Sequence, residues 1–441
     1  MNVPASQSYP AATDTSAKTV PPPERAQANW NFWTFVSFFV LQRAAWVFKL
    51  ESVIVPAFLD SLGGGATARG FLPILARVGN SLPPFFIAPS IERLPRMKNY
   101  LACLTLMEGA PWLILGILLW WMRPVNAWVW QIGYLTLYAI FAAVNGVTTL
   151  THGALQGKLI PPPRRGALFA YSNFGGSLLG VSLVFVWMLP YLDLAAGPSG
   201  FTSVFLATGF LFLLNAASAG CFREPASKVT PHADSLLVFL KQSIVSLRTD
   251  RAFRRLMIVV SMFYFFLVLF PHYASHGRKQ VGALSADLAV WVVVQNIGLG
   301  VGSMLLGPIA DRRGYRIAFT MILIGLAIIP LLAIGIGLLG PAWGRPLYSI
   351  VFLCLGLAPA SQRILANYVL EFAPADQQAR YLGIVNVTQL VPLTASPLVG
   401  WMMETFSYEA AFLLGSFILF WAAWRSRKLE EPRHRIPSIA S

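Results

Sequence analysis

Twelve stretches of mostly apolar residues, each long enough to cross a lipid bilayer as a helix, dominate the sequence. A spanning helix needs about 20 such residues. Backbone N–H and C=O groups find no water inside lipid, so a spanning stretch must pair them internally; the period of these stretches does not fit an alternating barrel. The sequence therefore predicts an all-α membrane protein. The predicted spans are 31–59, 69–90, 99–122, 126–152, 166–191, 200–222, 254–274, 286–307, 316–339, 346–371, 379–403 and 408–425.

The charge content supports this class and excludes others. Charged residues make up 12 % of the 441 residues and hydrophobic residues 56 %, whereas an ordinary soluble domain has about 25 % charged residues. A soluble enzyme or a disordered regulator could not hide so much apolar surface from water. The net charge of +15 would also suit a nucleic-acid partner, but the charges lie mostly between the apolar runs, which is typical of membrane loops.

Lysine and arginine are distributed unevenly between the two sides of the predicted bundle. The side that holds the N-terminus carries 24 of the 33 Lys and Arg residues, and four more lie inside spans. Cytoplasmic loops retain positive charge. The sequence therefore predicts a multi-pass protein of a bacterial cytoplasmic (inner) membrane with both termini in the cytoplasm. The opposite side carries only Arg69, Arg123, Arg278, Lys279 and Arg345.

Polarity divides the chain into five segments. Residues 1–28 are polar and Pro-rich and are predicted to be a disordered cytoplasmic tail. Between 223 and 253, apolar residues from Leu236 to Leu247 recur at helical spacing. This cytoplasmic linker is either an amphipathic helix on the membrane surface or an ordinary linker helix packed on its neighbours. The other segments are a six-helix half at 29–222, a second six-helix half at 254–425 and a cytoplasmic tail at 426–441.

Two short segments repeat in the two halves. Residues 89–95 (PSIERLP) and 308–314 (PIADRRG) both follow the second span of their half, and each contains an acidic residue followed by arginine, which is Arg93 in the first copy. A fainter pair is Arg165 and Arg380, which begin the fifth span of each half. Duplicated halves place a binding site between them, near the bilayer midplane.

The loop at 307–316 carries a recognisable signature. Its sequence, GPIADRRGYR, resembles the Gly-x-x-x-Asp-Arg-x-Gly-Arg-Arg/Lys motif of the major facilitator superfamily, and the resemblance extends over about 28–425. It implies twelve transmembrane helices in two pseudo-symmetric six-helix halves. Tyr315 departs from the motif, and in the first-half copy Glu92 replaces Asp and Pro95 replaces Gly. The matching residues are Gly307, Asp311, Arg312, Gly314 and Arg316.

The resemblance implies a cytoplasmic latch between the halves. Asp311 would face the start of the fifth helix, at Arg165, and Glu92 would face the start of the eleventh, at Arg380. Helix N-termini carry partial positive charge, so a carboxylate is stabilised there. Gly314 would allow the tight turn between helices eight and nine. The alternative is that these charges only set the topology.

Glycines four residues apart occur in two helices that the resemblance places at the interface of the halves. They are Gly176 and Gly180 in helix five, and Gly298 and Gly302 in helix eight. Such pairs let helices approach closely. The resemblance implies that helices five and eight pack on each other and slide; the alternative is that the glycines are merely tolerated.

Charged residues near the middle of the predicted spans are candidates for the solute site. Arg43, Arg77, Glu108 and Arg363 occupy such positions. A charge at this depth is costly and normally faces a partner or water, which makes each a functional candidate. The alternative is that they form internal ion pairs that hold helices together. Their positive excess favours a solute with a carboxylate or phosphate.

Helix one carries two further charges, Lys49 and Glu51. Two residues correspond to about 200° around an ideal helix, so at most one of them can face the cavity directly. Glu51 lies about 80° from Arg43 on the same count, so these two can share the cavity side. A protonatable Glu51 would couple a proton to transport.

The resemblance also ranks the candidates, because helices one, four, seven and ten line the cavity in the family. Arg43 and Glu51 on helix one and Arg363 on helix ten, which has Asn367 nearby, are then the better contact candidates. Glu108, on the peripheral helix three, becomes a structural counter-ion of Arg43 or Arg77.

Three classes of function compete. The sequence favours a secondary transporter or facilitator, a non-enzyme that moves a small solute by alternating access, with a proton as a possible second partner. A membrane enzyme would need a catalytic cluster or cofactor motif, and the sequence contains neither metal-ligand spacing nor a phosphate-binding loop. A non-transporting receptor or assembly factor of the same fold is the remaining alternative, which the retained midplane charges disfavour. We therefore expect no cofactor, no metal and no nucleic acid, and a monomer in the lipid bilayer.

Overall fold

The computed structural model describes residues 22–92, 94–122, 126–226, 249–373 and 377–431. Over these ranges the chain forms helices and turns and no strand. We divide it into twelve helical segments, some of which contain short breaks. They are α1 (Pro22–Phe48, continued by Ile54–Ser61), α2 (Ala66–Glu92), α3 (Lys98–Trp121), α4 (Ala127–Leu159), α5 (Pro162–Leu183, continuing to Tyr191), α6 (Thr202–Gly220), α7 (Arg251–Val281), α8 (Ser285–Arg313), α9 (Tyr315–Gly337), α10 (Gly340–Phe372), α11 (Gln378–Thr388, Leu390–Leu393 and Ser396–Thr405) and α12 (Tyr408–Ser426).

Ten of these segments, α2 to α11, are long and apolar enough to cross a bilayer. The all-helical membrane class predicted from the sequence is therefore confirmed. The segments α1 and α12 are not among the ten, so the count of twelve spans stays a prediction. We call the side of the bundle where α1 begins the N-terminal face and the other side the opposite face.

The first helix has other ends than predicted, and most of the central linker lies outside the described residues. The helix α1 begins at Pro22, inside the tail predicted over 1–28, because proline is well suited to the first turn of a helix. It ends at Phe48, and residues 49–53 form a turn before the chain continues as a helix. The predicted amphipathic segment at 236–247 lies outside the described residues.

Each half is held together by helix pairs of its own. In the first half α3 packs along α6, α2 along α4, and α1 along α5; in the second half α9 packs along α12 and α8 along α10. Contacts between the halves are made mainly where α2 meets α11. This arrangement gives two bundles with an interface between them.

A carboxylate caps the start of the third helix of each half at the N-terminal face. Glu224, just after α6, accepts hydrogen bonds from the backbone N–H of Lys98 (2.8 Å) and from Nζ of Lys158 (2.7 Å). Glu431, just after α12, accepts from the backbone N–H groups of Tyr315 and Arg316, both at 3.1 Å. Each carboxylate satisfies free N–H groups and the positive end of a helix. The two halves therefore repeat one capping device.

At the opposite face, an ion network joins the halves. Asp60 of α1 forms a salt bridge with Arg69 of α2 and accepts a hydrogen bond from Ser275 of α7. Arg278 of α7 lies 3.5 Å from the same carboxylate, measured from Nη1 to Oδ2. Arg69 also donates to the hydroxyl of Tyr408 on α12. Arg69 and Arg278 thus each reach a polar group of the other half.

The helices α2 and α11 touch closely at the same face. Glu404 of α11 accepts hydrogen bonds from the backbone N–H (3.0 Å) and the hydroxyl of Thr67, at the start of α2. A Cβ atom at Gly400 would lie 2.2 Å from the carbonyl oxygen of Ala66, and one at Gly70 would lie 2.5 Å from that of Ser396. This approach is possible only because these positions carry no side chain.

The glycine pairs predicted at the interface of the halves pack elsewhere. A Cβ at Gly176 would meet the side chain of Arg43 at 2.8 Å, so this face of α5 lies against α1 of its own half. A Cβ at Gly298 would lie 2.0 Å from the carbonyl oxygen of Leu353, so this face of α8 lies against α10. The helices α5 and α8 do meet, mainly through the end of α5 at 184–191, but the glycine pairs do not form that contact. Spacing along a helix reveals a smooth face but not the helix that covers it.

We predict that Gly400→Leu separates the halves at the opposite face. The added side chain cannot fit against the backbone of α2, so the conformation with this face open becomes more populated. Spin labels on cysteines introduced at Ala196 and Leu338, in a background with the three native cysteines replaced by serine, would report a longer distance than in the parent protein. Gly335→Leu is the matched control, because a Cβ at that position meets nothing within 4 Å. An unchanged distance in the Gly400 variant would contradict the prediction.

Candidate functional site

A cavity of about 730 Å³ lies between the halves. Its wall includes His152 and Gln156 near the end of α4 and Phe169 near the start of α5, which places one end toward the N-terminal face. The residues of the ion network at the opposite face do not line it. The cavity is mainly apolar, with amide and charged groups at intervals, a composition that suits a small-molecule site.

Arg43 connects the two halves across this cavity. Its Nε donates to the hydroxyl of Ser177 on α5 at 3.0 Å, and its Nη2 donates to the amide oxygen of Asn296 on α8 at 3.4 Å. Nine residues further along the chain, Ser52 donates to Gln295, the residue before Asn296 on α8, at 2.6 Å. The acceptors that bridge the middle of the cavity are therefore neutral, and they supply no negative charge to compensate Arg43.

Arg77 and Arg363 also line the cavity. Within the described ranges, neither guanidinium forms an ion pair or hydrogen bond. Arg363 lies over the ring of Phe169, with 4.3 Å between its Cζ and the ring centroid, a cation–π contact that leaves its donors free. Arg77 shares a small extension of the cavity with Glu51. The predicted residues Arg43, Arg77 and Arg363 thus line the same cavity.

Lys49 and Glu51 form a salt bridge, although ideal helix geometry predicts that they point in opposite directions. Their Nζ and Oε1 atoms are 3.2 Å apart, and Nζ of Lys49 lies 3.2 Å from the ring centroid of Trp46. The turn at 49–53 interrupts the helix, so the 200° separation of an ideal helix does not apply. Lys49 is fully buried, whereas the side chain of Glu51 is 26 % exposed and faces the cavity.

Glu108 and Asn367 lie outside the cavity wall. Glu108 is fully buried on α3, and its Oε2 receives a weak hydrogen bond of 3.5 Å from Gln42. The expected ion pair of Glu108 with Arg43 or Arg77 is not among the ion pairs of the described residues. Asn367 is exposed on α10, about one turn beyond Arg363.

The loop residues of the predicted latch are described only in part. Asp311 lies in the last turn of α8 and Glu92 ends α2, but the side chains of both, and all of Arg93, lie outside what the structure describes. Arg165 donates to the carbonyl oxygens at the end of α4, 3.1 Å from that of Ile160. The latch therefore stays a prediction.

The other loop residues have described backbone positions, and one contact was not anticipated. Gly314 has a φ of +90°, and a Cβ there would lie 2.5 Å from the carboxyl carbon of Glu431. The turn thus needs glycine both for its backbone angle and for the carboxylate that caps α9. Arg380, on α11, lies 3.4 Å from the side-chain oxygen of Gln377.

Three amide side chains of the cavity wall were not predicted from the sequence. Gln42, Gln295 and Asn296 line the cavity, and each bonds a residue on another helix. The available signal was the presence of amide side chains near the middle of apolar spans, since such groups normally avoid lipid. The ion network around Asp60 was missed because its members are far apart in the sequence.

The comparisons with known proteins agree with this geometry. A family model described as Major Facilitator Superfamily matches residues 44–389 and 278–440. No curated protein sequence matches the chain.

Several solved structures share the fold at low sequence identity. A mutant of the nucleoside transporter NupG has a TM-score of 0.69 at 11 % identity, with 91 % of this chain and 100 % of that chain covered. A D-xylose-proton symporter has a TM-score of 0.66 at 15 % identity, covering 92 % and 99 %. A bacterial homologue of the human lysosomal transporter Spinster has a TM-score of 0.63 at 12 % identity, covering 95 % and 100 %.

The family model spans most of the chain, and the helical halves with a cavity between them match structures of the same fold. The chain therefore belongs to the major facilitator superfamily.

Proposed function

We propose that this chain is a secondary transporter that moves a small anionic solute across the membrane by alternating access. The family and its transporter structures support solute transport. The observation that carries the anionic substrate is the charge of the cavity wall. Arg77 and Arg363 have no carboxylate partner, while the one acidic wall residue, Glu51, is paired with Lys49 among the described residues.

A guanidinium inside the bilayer is costly unless a counter-charge or water reaches it. Arg77 and Arg363 line the cavity, where water can reach them. A carboxylate or phosphate would replace that water with charge-assisted hydrogen bonds, which arginine forms in a planar, two-pronged geometry. The apolar part of the wall would contact the remainder of the solute, and a ring over Arg363 already shows that this guanidinium tolerates an aromatic neighbour.

The closed interface at the opposite face supports the alternating-access part of the proposal. The network around Asp60 and the contact between Glu404 and Thr67 seal that face, while the cavity extends toward the N-terminal face. In the converse conformation, Asp311 and Glu92 would hold the N-terminal face shut at the starts of α5 and α11. The solute would then leave or enter through the opposite face.

Orientation and coupling complete the proposal. The distribution of Lys and Arg favours a cytoplasmic N-terminal face in a bacterial cytoplasmic membrane. A relative of the same fold is a proton symporter, which supports a proton as the coupling ion. A monomer suffices, because both halves of the cavity come from one chain.

We predict that anionic solutes stabilise the purified protein through Arg363. In a thermal-unfolding screen of carboxylates, phosphates, sugars and amines, at least one anion should raise the Tm. Arg363→Gln should weaken its apparent affinity about 10- to 100-fold, since a hydrogen bond to a charged group contributes about 1.5–3 kcal/mol. Arg427→Gln, which removes an exposed arginine beyond the bundle, should leave the affinity unchanged. Stabilisation only by neutral or cationic solutes would refute the anionic substrate.

We also predict the orientation of the bundle. In the background without native cysteines, a cysteine at Leu338 should react with a membrane-impermeant reagent in intact cells, because this residue is exposed at the opposite face. A cysteine at Ser438 should react only after the cells are opened. The reverse labelling pattern would invert the proposed topology.

A further inference from the structure

Glu108 is a carboxyl group that the solute site does not use. It lies near the middle of α3, and its side chain is fully buried. Its Oε1 has no hydrogen-bond partner, and its Oε2 receives only the 3.5 Å contact from Gln42. Burial of a carboxylate normally requires a cation or several donors. An ionised Glu108 would have neither in this conformation.

The helices around Glu108 present almost only uncharged groups. Thr148 faces it from α4, and the hydroxyl proton of Thr148 is already donated to the carbonyl oxygen of Val144 at 3.0 Å. Asn215 of α6 donates to the side-chain oxygen of Gln42 and not to the carboxyl group of Glu108. No ion pair of the described residues includes Glu108, and Lys49 of α1 is a cation whose charge acts on it.

Lys49 is occupied elsewhere. Its ammonium group is bonded to Glu51, 3.2 Å away, and rests against the ring of Trp46. It forms no salt bridge with Glu108. One buried cation thus lies within electrostatic reach of two carboxyl groups, of which it neutralises one. A neutral, protonated Glu108 is the state that this arrangement stabilises.

A route from Glu108 to water is also present. Gln42 contacts the carboxyl group on one side and forms part of the cavity wall on the other. The next residue, Arg43, bridges to Asn296 of the second half. The carboxyl group is therefore one side chain away from the water of the cavity and from the bridge between the halves.

We propose that Glu108 is the proton-binding site of this transporter and that Lys49 exchanges between Glu108 and Glu51 as the proton binds and leaves. With Glu108 protonated, Lys49 neutralises Glu51, and the cavity retains the full positive charge of its arginines. When water that enters from the cavity past Gln42 takes the proton, a carboxylate forms on α3 and attracts Lys49. Glu51 is then released and faces Arg77, with which it shares a pocket.

The exchange links the proton to the solute. A released Glu51 lowers the positive charge available to an anion, so the anion binds more tightly when Glu108 is protonated. Binding couplings are reciprocal, so the bound anion also strengthens proton binding. The two would therefore travel in the same direction, as a proton–anion symport. This last step rests on the proposed anionic substrate, whereas protonation of Glu108 and the exchange of Lys49 do not.

The test is infrared spectroscopy of the purified protein as the pH is raised, which needs no solute. The wild type should show the carbonyl band of a protonated carboxylic acid, and Glu108→Gln should lack that band at neutral pH, where exposed carboxyl groups are ionised. Glu108→Asp should restore it. A wild type without the band, or the same band in Glu108→Gln, would overturn the proton site.

Two further variants test the exchange of Lys49 by shifts in opposite directions. Glu51→Gln frees the cation for Glu108, so the acid band should disappear at a pH lower by about one unit than in the wild type. Lys49→Met removes the cation, so the band should persist to higher pH. Shifts of the same sign, or no shift in the folded variants, would overturn the exchange.

The symport step has its own measurement. The anion that gives the largest stabilisation in the thermal screen should do so more strongly at low pH, and this pH dependence should vanish in Glu108→Gln. Unchanged pH dependence in that variant would refute the link. If no anion stabilises the protein while the infrared shifts appear, the anionic substrate fails and the proton site stands.

Discussion

The structure depends on one constraint: a guanidinium within a lipid-spanning bundle must be reached by water or by a negative charge. Arg77 and Arg363 have no acidic partner among the described residues, so a packed bundle without a cavity could not contain them. The cavity between the halves provides the required solvation. Its position between two bundles, and not inside one, means that the same groups can be exposed to either side when the halves rock. The positions of these arginines and the cavity between the halves thus follow from the same need to solvate a buried charge.

The same kind of contact, a carboxylate at the start of a helix, closes one face of the bundle and is expected to close the other. At the opposite face, Glu404 of the second half binds the start of α2 in the first half, and glycines allow the backbones to touch. The family motif at Asp311 would place a carboxylate of the second half at the start of α5. In both cases a carboxylate at the end of one helix meets the positive start of another. Such contacts are strong enough to hold a closed face and few enough to break.

The sequence predicted the class, the two halves and the charges of the cavity, because apolar length, duplication and buried charge are local signals. It did not predict the turn at 49–53, although Pro56 in the same apolar run is incompatible with a regular helix through residue 52. This turn decides that Lys49 pairs with Glu51. It misassigned the glycine pair at Gly176, because spacing does not identify the partner helix. The network around Asp60 depends on residues more than 200 positions apart, which a single sequence cannot bring together.

The capping of α3 by Glu224 and of α9 by Glu431 has a consequence for biosynthesis. Each carboxylate belongs to the segment that follows the sixth helix of its own half, so neither of these two caps depends on the other half. The cap of α3 can form as soon as residue 224 has left the ribosome, before any helix of the second half exists. The start of α2, by contrast, gains its acceptor only when Glu404 of the second half has been made.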